Sequence, residues 1–388
     1  MKLLHTSDWH VGKRLDRYDR MDEHRQVIDE VVAIADREKV DAVIHSGDLF
    51  DRAVPPVEAL RLGLDGLVRL AADGTRPVVV VAGNHDSPQL FDTLAPFLRP
   101  FGVHLVGSIK SPADGGILSL DAAAGRLLVA CFPFLRAAQV VDFMAKVDDW
   151  YGTYAERVRK ITEAYARGLA KQASEDDVTV LAGHYMVGGV KVRTGIPRGE
   201  RDLHIGEAYA ATEAAVPTAV DYVALGHIHA PQSVPGANVP AEYAGSLLQL
   251  DFGEAGEIKR VVIVEAKPGV PAKLRSVPIE GGRRLIRVEG TWADIVERDD
   301  LEGALLDLVI HTDGPEEGLM DRVRERFPDV VKVRPVYERQ GAEPAVAPGA
   351  TLEEMYTAYH LEAHASVPSD ALIDLFREIS EEVADATG

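Results

Sequence analysis

The chain has 388 residues, 46% hydrophobic and 27% charged, which is the composition of an ordinary globular protein. Its length predicts more than one domain, and its single cysteine, Cys131, excludes an internal disulfide and a cysteine-rich zinc site. The net charge of −20 argues against a protein that coats DNA unaided, because DNA affinity comes largely from cations placed against phosphates. No apolar run suits a membrane helix or a secretory signal, so we expect a cytoplasmic protein.

Apolar strand-like runs alternate with helical patterns over about the first 265 residues, which predicts an α/β fold. The predicted strands are Lys2–Thr6, Ala42–His45, Pro77–Ala82, Leu127–Cys131, Val178–Leu181, Tyr222–Leu225 and Arg260–Val264. The predicted helices are Glu23–Asp36, Val57–Ala71 and a longer helical region from about Arg136 to Ser174.

The pattern changes after residue 267. A β-α-β-like series predicts a small second domain, with elements at Arg284–Glu289, Leu301–Ile310, Leu319–Phe327 and Val330–Val336. We therefore predict a first domain over 1–267, a second over 270–338, a Gly/Pro/Ala-rich linker over 341–350 and two short helices over 351–388. The last of these segments is acidic and does not suit a DNA-binding arm.

Polar side chains that can bind metals follow five of the predicted strands. They are Asp8 and His10, Asp48 and Asp51, Asn84 to Asp86, His184, and finally His227 and His229. Because sites in open α/β sheets form at the carboxyl ends of strands, we expect these turns to meet in one cleft. Residues i and i+2 of extended backbone point the same way, so each Asp-x-His or His-x-His pair can direct two ligands into one pocket.

The types of these ligands indicate what the cleft binds. A set of two aspartates, one asparagine and four histidines drawn from these motifs offers oxygen and nitrogen but no sulfur, which suits Mn, Fe or Zn. Seven ligands are too many for one catalytic metal with an open position, and they are enough for two metals that share a carboxylate. Such a pair, about 3.5 to 4 Å apart, serves phosphate-ester hydrolysis.

Each motif alone is weak evidence for a site, and an isolated Gly-Asn-His-Asp is compatible with a plain turn. The five motifs together, in strand context and with complementary ligands, argue against coincidence. Other histidines are interpreted as packed or surface residues, namely His5, His45, His104, His204 and His311.

The motif series D-x-H, G-D-x-x-D, G-N-H-D, G-H and G-H-x-H resembles the calcineurin-like metallophosphoesterase superfamily. Longer matches resemble the SbcD-like family of bacterial nucleases: His5–Gly12, Gly47–Asp51, Ala82–Ser87, Asp221–His229, Tyr243–Ser246 and Asp251–Glu254. The similarity extends over nearly the whole chain and is strongest up to about residue 265. It implies a β-sandwich flanked by helices, a small α+β capping domain over 270–338 and a C-terminal helical tail.

The resemblance also implies roles for single residues. One metal, of which Mn is typical for the family, would be held by Asp8, His10, Asp48 and His229, and a second by Asp48, Asn84, His184 and His227, with Asp48 bridging. His85 would face the scissile phosphate and act on the leaving oxygen. Asp51 is the candidate that orients His85. Archaeal and eukaryotic relatives often carry His in place of this aspartate. The alternative is that Asp51 caps a turn and that Asp86 orients His85.

Basic residues near the motifs are candidates for contacts to substrate phosphates. They are Lys13, Arg14, Arg17 and Arg52 after the first two motifs, and Lys191, Arg193, Arg198 and Arg201 after His184. Of these, Arg14, Arg52, Arg193 and Arg198 are the predicted contacts. For any one of them, a solvated loop is the alternative.

The family resemblance implies an Mn-dependent DNA nuclease, a 3′→5′ exonuclease on duplex ends and an endonuclease on single strands and hairpins. It would act in DNA repair, recombination and replication with an SbcC-type ATPase. Two other classes stay open, a small-molecule phosphodiesterase or phosphatase and a non-catalytic scaffold. The filled ligand positions disfavour a scaffold, and the capping domain and tail disfavour a small-molecule enzyme.

The helical tail is the segment that would bind the ATPase. Its apolar residues lie at helical spacing, at Leu352, Met355, Tyr356, Leu372, Leu375, Phe376 and Ile379. The alternative is that this helix pair folds back on its own domain. A homodimer is also implied, and its candidate face comprises Leu60, Leu64, Leu67, Phe91, Leu94, Phe97 and Leu98. A buried core face would show the same pattern.

Overall fold

A computed structural model of the chain describes residues 1–136, 154–191, 210–211, 216–337, 350–364 and 366–387. The strands are β1 (Lys2–Thr6), β2 (Ala42–His45), β3 (Val78–Val81), β4 (Val103–Val106), β5 (Ile117–Ala122), β6 (Gly125–Phe132), β7 (Val178–His184), β8 (Met186–Val187), β9 (Ala210–Ala211), β10 (Tyr222–Gly226), β11 (Gln232–Ser233), β12 (Ala241–Tyr243), β13 (Arg260–Lys267), β14 (Val270–Pro278), β15 (Leu285–Thr291), β16 (Leu305–His311) and β17 (Val330–Val336). The helices are α1 (Met21–Glu38), α2 (Val57–Leu70), α3 (Pro88–Leu98), α4 (Tyr154–Gln172), α5 (Trp292–Val296), α6 (Leu319–Arg326), α7 (Leu352–His364) and α8 (Asp370–Thr387).

Two six-stranded sheets form the first part of the chain. The first has the order β14-β13-β1-β2-β3-β4 and the second the order β11-β12-β10-β7-β6-β5. In each sheet four neighbouring strands are parallel, β1 to β4 in the first and β12, β10, β7 and β6 in the second. The parallel strands therefore bring their carboxyl ends to one edge of each sheet.

Successive side chains of each strand point to opposite faces of the sheet, and this alternation explains how the sheets pack. Leu4, Val43 and Val80 point to one face of the first sheet and pack with α1, α2 and α3. Their neighbours point to the other face and pack against the second sheet, as Leu3 and Ile44 do. The outer face of the second sheet packs on α4. This β-sandwich with helices on its outer faces confirms the predicted fold class.

All seven strands predicted from the sequence are present, and each begins and ends within three residues of its predicted bounds. The predicted helices over 23–36 and 57–71 correspond to α1 and α2. The region expected to be helical from 136 to 174 contains α4, while its residues 137–153 lie outside the described residues. The predicted linker falls on 341–350, of which 341–349 also lie outside them.

One strand differs from the domain boundary that was predicted. Residues 270–278, assigned to the second domain, form β14, which pairs antiparallel with β13 in the first sheet. The reason lies in Pro268-Gly269, which has the composition of a domain boundary but forms a hairpin turn, with Gly269 at φ +66°. The first sheet consequently continues to residue 278.

The segment after this hairpin forms a three-stranded sheet of order β15-β16-β17 with α5 and α6. The chain divides into two compact units, 1–309 with 318–334 and 310–317 with 335–388. Most of the predicted capping domain therefore belongs to the same unit as the two large sheets. Glu23 of α1 accepts hydrogen bonds from the backbone and guanidinium of Arg283, and the Tyr18 hydroxyl donates to the Val330 carbonyl.

In the second unit, the rings of Tyr356 on α7 and Phe376 on α8 stack 4.2 Å apart. Four of the predicted partner-binding residues are exposed, namely Leu352, Met355, Leu375 and Ile379, whereas Leu372, Tyr356 and Phe376 are half-buried. None of the helices in the described ranges is long and apolar enough to cross a membrane.

The predicted dimer face is divided between core and surface. Leu67, Phe91 and Leu98 are buried in the core beneath α2 and α3, and Leu60, Leu64 and Leu94 are partly buried against it. Phe97 is 70% exposed. Most of this apolar pattern is therefore accounted for by packing of the two helices on the first sheet.

Candidate metal centre

Residues at the carboxyl ends of five parallel strands meet in one cleft. They come from β1, β2 and β3 of the first sheet and from β7 and β10 of the second: Asp8, His10, Asp48, Asn84, His184, His227 and His229. The seven residues predicted as metal ligands thus lie together, although they are spread over more than 200 positions of the sequence. Asp8, His10, Asp48 and His184 are almost completely buried.

The backbone that carries these ligands is strained. Asp8, His10 and Asp48 have φ angles of 50°, 44° and 53°, and His227 has 94°. This is the left-handed region, which residues with a Cβ rarely adopt and which concentrates at functional sites. The expectation that Asp8 and His10 converge through extended backbone is therefore wrong. They converge because the loop turns, held by hydrogen bonds from their backbone N–H groups to the carbonyls of Gly47 and Asp48.

A first group of donor atoms is formed by Asp8, His10, His229 and Asp48. The Nε2 atoms of His10 and His229 lie 3.2 Å apart, and Nε2 of His10 lies 3.5 Å from Oδ2 of Asp48. A carboxylate oxygen of Asp8 lies within 4.8 Å of donor nitrogens of both histidines. These four side chains therefore direct their donor atoms at one point, which we call the first metal position.

A second group lies beside it. Oδ1 of Asn84 is 2.9 Å from Nε2 of His184 and 2.9 Å from Nδ1 of His227. Nε2 of His184 is 3.4 Å from Oδ2 of Asp48, the same oxygen that faces His10. These atoms define the second metal position, and Oδ2 of Asp48 faces both positions.

The donor set fits cations. Nδ1 of His184 donates to the Ser46 carbonyl at 2.8 Å and Nδ1 of His229 donates to Glu254 at 2.9 Å, so their Nε2 atoms face other acceptors. Burial lowers the pKa of each ring, but nearby carboxylates, Asp48 for His184 and Glu254 for His229, raise both pKa values to about 9. Converging acceptors favour a positive charge between them, and divalent ions would supply it.

His85 lies at the rim of this cleft and is half-buried. Its backbone N–H donates to Oδ1 of Asp48 at 2.9 Å, and its ring Nδ1 lies 2.9 Å from the carbonyl oxygen of Asp51. A carbonyl only accepts, so Nδ1 carries the proton. This tautomer leaves Nε2 as the other functional atom of the ring.

The expected partner of His85 requires a correction. Asp51 does contact Nδ1 of His85, but through its backbone carbonyl and not through its carboxylate. The carboxylate lies 3.7 Å from Nδ1 of His10 and 3.2 Å from Nζ of Lys13. Burial raises the pKa of Asp51, but His10 and Lys13 outweigh it and lower the pKa to about 2.

The alternative partner, Asp86, has another place in the structure. Its carboxylate accepts hydrogen bonds from the backbone N–H groups of Leu49, Phe50 and Gly83. Asp86 therefore fixes the loop of the second motif against the loop of the third. Its carboxylate stabilises these loops and is not the hydrogen-bond partner of the His85 ring.

The predicted phosphate contacts are only partly described. Arg14 is exposed beside the cleft loop and donates to the Arg17 carbonyl, and the Arg52 side chain is 68% exposed, 3.7 Å from Asp51. Arg193 and Arg198, together with Arg201, lie outside the described residues. Lys191 is exposed.

Two functional neighbours were missed by sequence reasoning. Glu254, a buried residue, binds Nδ1 of His229, and the half-buried ring of Phe134 stacks on His227 with ring centres 5.8 Å apart. Glu254 belongs to the Asp251–Glu254 match, but no role was assigned to it. Phe134 follows a strand without any motif, so the sequence offered no signal for it.

Gly47→Ala should weaken metal binding by about tenfold or more, because an added Cβ would lie 2.2 Å from Nδ1 of His184. Gly47 also has φ +105°, which alanine adopts only with strain. The matched control is Gly125→Ala, which carries the strain of φ +123° but has no atom within 4 Å of its added Cβ. The metal content of each variant is measured after gel filtration. Equal metal content in Gly47→Ala and Gly125→Ala would contradict the proposed place of His184.

Two family models match the chain. One, described as calcineurin-like phosphoesterase, matches residues 1–231, and the other, described as type 5 capsule protein repressor C-terminal domain, matches residues 282–362. The chain is 31% identical over 403 residues to a Bacillus subtilis protein named as the SbcD component of the nuclease SbcCD, across 99% of this chain and 98% of that protein. It is 29% identical over 374 residues to a Rhodobacter capsulatus protein of the same name, across 90% of each.

Proposed function

Because this chain belongs to the calcineurin-like phosphoesterase family, and within it to the SbcD family of nucleases, we propose that it hydrolyses phosphodiester bonds in DNA with two divalent metal ions. The single observation that carries the proposal is the placement of the Asp48 carboxylate between the two groups of donor atoms. One of its carboxylate oxygens faces His10 at 3.5 Å and His184 at 3.4 Å, which suits a ligand shared by two ions.

The side chains at this centre have different roles. When bound, a pair of divalent ions supplies Lewis acidity and lowers the pKa of a bound water. Asp8, His10, Asp48 and His229 would hold one ion, and Asp48, Asn84, His184 and His227 the other. The buried carboxylates of Asp8 and Asp48 set the negative charge of the site, and burial keeps the pKa of His10 and His227 below its usual value. Neutral rings are the form that binds metal.

His85 acts on the substrate in this proposal. The Asp51 carbonyl fixes its Nδ1–H tautomer, so Nε2 carries a second proton in the acid form and can donate it to the leaving oxygen of the ester. The backbone N–H of His85 also holds Asp48 at 2.9 Å. The ring therefore stays in a fixed place relative to the metal ligands.

The choice of metal, of substrate and of partners is also proposed. We take Mn as the ion, since the nitrogen and oxygen ligands suit it. Arg14 and Arg52 are exposed near the cleft and would contact DNA phosphates, together with Arg193 and Arg198. The DNA reactions would be 3′→5′ cleavage from duplex ends and internal cleavage of single strands and hairpins, in the course of DNA repair and recombination.

The tail would bind an SbcC-type ATPase. The exposed apolar residues of the helix pair support this proposal, since Leu352, Met355, Leu375 and Ile379 offer an apolar surface to a partner helix. A homodimer is proposed with Phe97 at its interface, because the other six residues of the predicted dimer face are at least partly buried.

The proposed function is tested by assaying the purified chain with Mn on a hairpin DNA and on a small phosphodiester, each with and without the ATPase. We expect cleavage of the hairpin, stimulation by the partner with ATP, and a kcat/KM for the small diester lower by at least about 10²-fold, because remote contacts to DNA supply binding energy. Equal kcat/KM on both substrates would favour the small-molecule phosphodiesterase. If the protein binds Mn but hydrolyses neither substrate, the proposal that it is a nuclease is contradicted.

A further inference from the structure

Glu254 lies directly behind one histidine of the first metal position. Its Oε1 accepts a hydrogen bond from Nδ1 of His229 at 2.9 Å, and its Oε2 lies 2.7 Å from Nζ of Lys259. Both Glu254 and Lys259 are buried, with 3% and 5% of their surfaces exposed. Oε2 also accepts from the backbone N–H of Leu250, so the carboxylate is fixed in place.

Asp51 lies behind the other histidine of the same position. Its Oδ1 faces Nδ1 of His10 at 3.7 Å and Nζ of Lys13 at 3.2 Å. Nδ1 of His10 is buried and has no hydrogen-bond partner among the described residues. A shift of roughly 0.8 Å would close this gap to a hydrogen bond of ordinary length. The arrangement repeats that of His229, with a lysine, a carboxylate and a histidine in series.

The second metal position is built differently. Nδ1 of His184 donates to the neutral carbonyl of Ser46. His227 presents Nδ1 to the cleft, and its ring stacks on Phe134. Asn84, the third side chain, is itself neutral. In the described part of the chain, both carboxylates that lie behind a histidine, Glu254 behind His229 and Asp51 behind His10, thus belong to the first position.

A carboxylate behind a metal-binding histidine raises the basicity of the ring, fixes its orientation and adds negative charge near the ion. We infer that Asp51 and Glu254 are positioning residues for His10 and His229, and that the first metal position binds its ion more tightly than the second. This inference rests on the proposed two-ion site. It goes beyond that site because it ranks the two positions and assigns the ranking to residues that do not touch the ions.

A purely structural role predicts something else. Glu254 and Lys259 form a buried ion pair, and breaking such a pair destabilises a fold whether or not a metal is near. In that case Glu254→Gln would lower the melting temperature, and the two metal affinities would change equally or not at all. Affinity at one position is therefore the readout that separates the two roles.

The test is a calorimetric titration of metal-free protein with Mn²⁺. In the wild-type protein we expect two binding events at least about tenfold apart in affinity. Asp51→Asn and Glu254→Gln should each weaken the tighter event by about 10- to 100-fold and leave the weaker one unchanged. Asn84→Ala, at the second position, should remove the weaker event and keep the tighter one.

The control is Asp177→Asn, which removes a buried carboxylate paired with Arg126 at the amino end of β7, away from the cleft. It should leave both events unchanged. The inference is overturned if either carboxylate variant weakens the weaker event or both events alike, if Asn84→Ala removes the tighter event, or if the wild-type affinities are equal. A single bound ion in the wild-type protein would overturn the two-ion site itself and the ranking with it.

Discussion

Asp48→Asn should abolish hydrolysis of DNA and reduce the number of bound ions from two to at most one. One oxygen of the Asp48 carboxylate faces a histidine of each donor set, with Oδ2 3.5 Å from Nε2 of His10 and 3.4 Å from Nε2 of His184. Despite burial, which raises the pKa of Asp48, the histidines around it hold that pKa well below its usual value, so the group is an anion. An amide of the same size removes the charge and one lone-pair donor at the point the ions would share.

The expected loss in kcat is about 10³-fold or more, because Lewis acidity at a phosphoryl oxygen is worth several kcal/mol. Metal content by mass spectrometry and single-turnover cleavage of a hairpin DNA measure the two effects. Asp177→Asn again serves as the control, since that carboxylate lies outside the cleft. Two ions and unchanged turnover in Asp48→Asn would show that the carboxylate is not shared.

His85→Ala should keep both ions and lower kcat for DNA by about 10²- to 10⁴-fold, the range of general acid catalysis. The ring is not directed at either donor set through its Nδ1, which contacts the Asp51 carbonyl instead. Its backbone N–H donates to a predicted ligand, Asp48, and alanine retains that hydrogen bond, whereas its ring packs edge-on against His10 with ring centres 4.7 Å apart. The metal ligands therefore stay in place while the proton donor is lost.

The chemical role of His85 has a sharper readout in the leaving group. A nitrophenolate leaves without a proton, so His85→Ala should slow a nitrophenyl phosphodiester far less than DNA. Measuring kcat for both substrates in the wild-type and variant proteins separates proton donation from positioning. An equal loss on both substrates, or loss of an ion, would contradict the assigned role.

The metal ligands were predictable because the motifs lie at strand ends and the strands are strongly apolar. Val78–Val81 and Tyr222–Gly226, for example, are fully buried runs that fix where Asn84 and His227 emerge. In parallel sheets the carboxyl ends meet at one edge, so ligand identity and order were enough to place the residues in one cleft. The detailed loop geometry was not predictable in the same way, since Asp8 and His10 depend on a left-handed backbone that packing imposes.

The residues behind the ligands were harder to predict. Asp51 was identified, but a sequence does not specify whether a carbonyl or a carboxylate meets a given ring, and here each meets a different histidine. Glu254 comes from the short 3-10 turn Phe252–Glu254, 25 residues after His229. Only tertiary packing brings that turn against the His229 loop. The hairpin of β13 and β14 was missed because Pro268-Gly269 resembles a linker as much as a turn.

Anomalous diffraction from crystals soaked in Mn²⁺ would locate the ions directly. Two peaks about 3.5 to 4 Å apart, with the Asp48 carboxylate between them, are the predicted outcome. One peak alone, or two peaks of which only one lies within bonding distance of Asp48, would remove the basis for phosphodiester hydrolysis at this cleft.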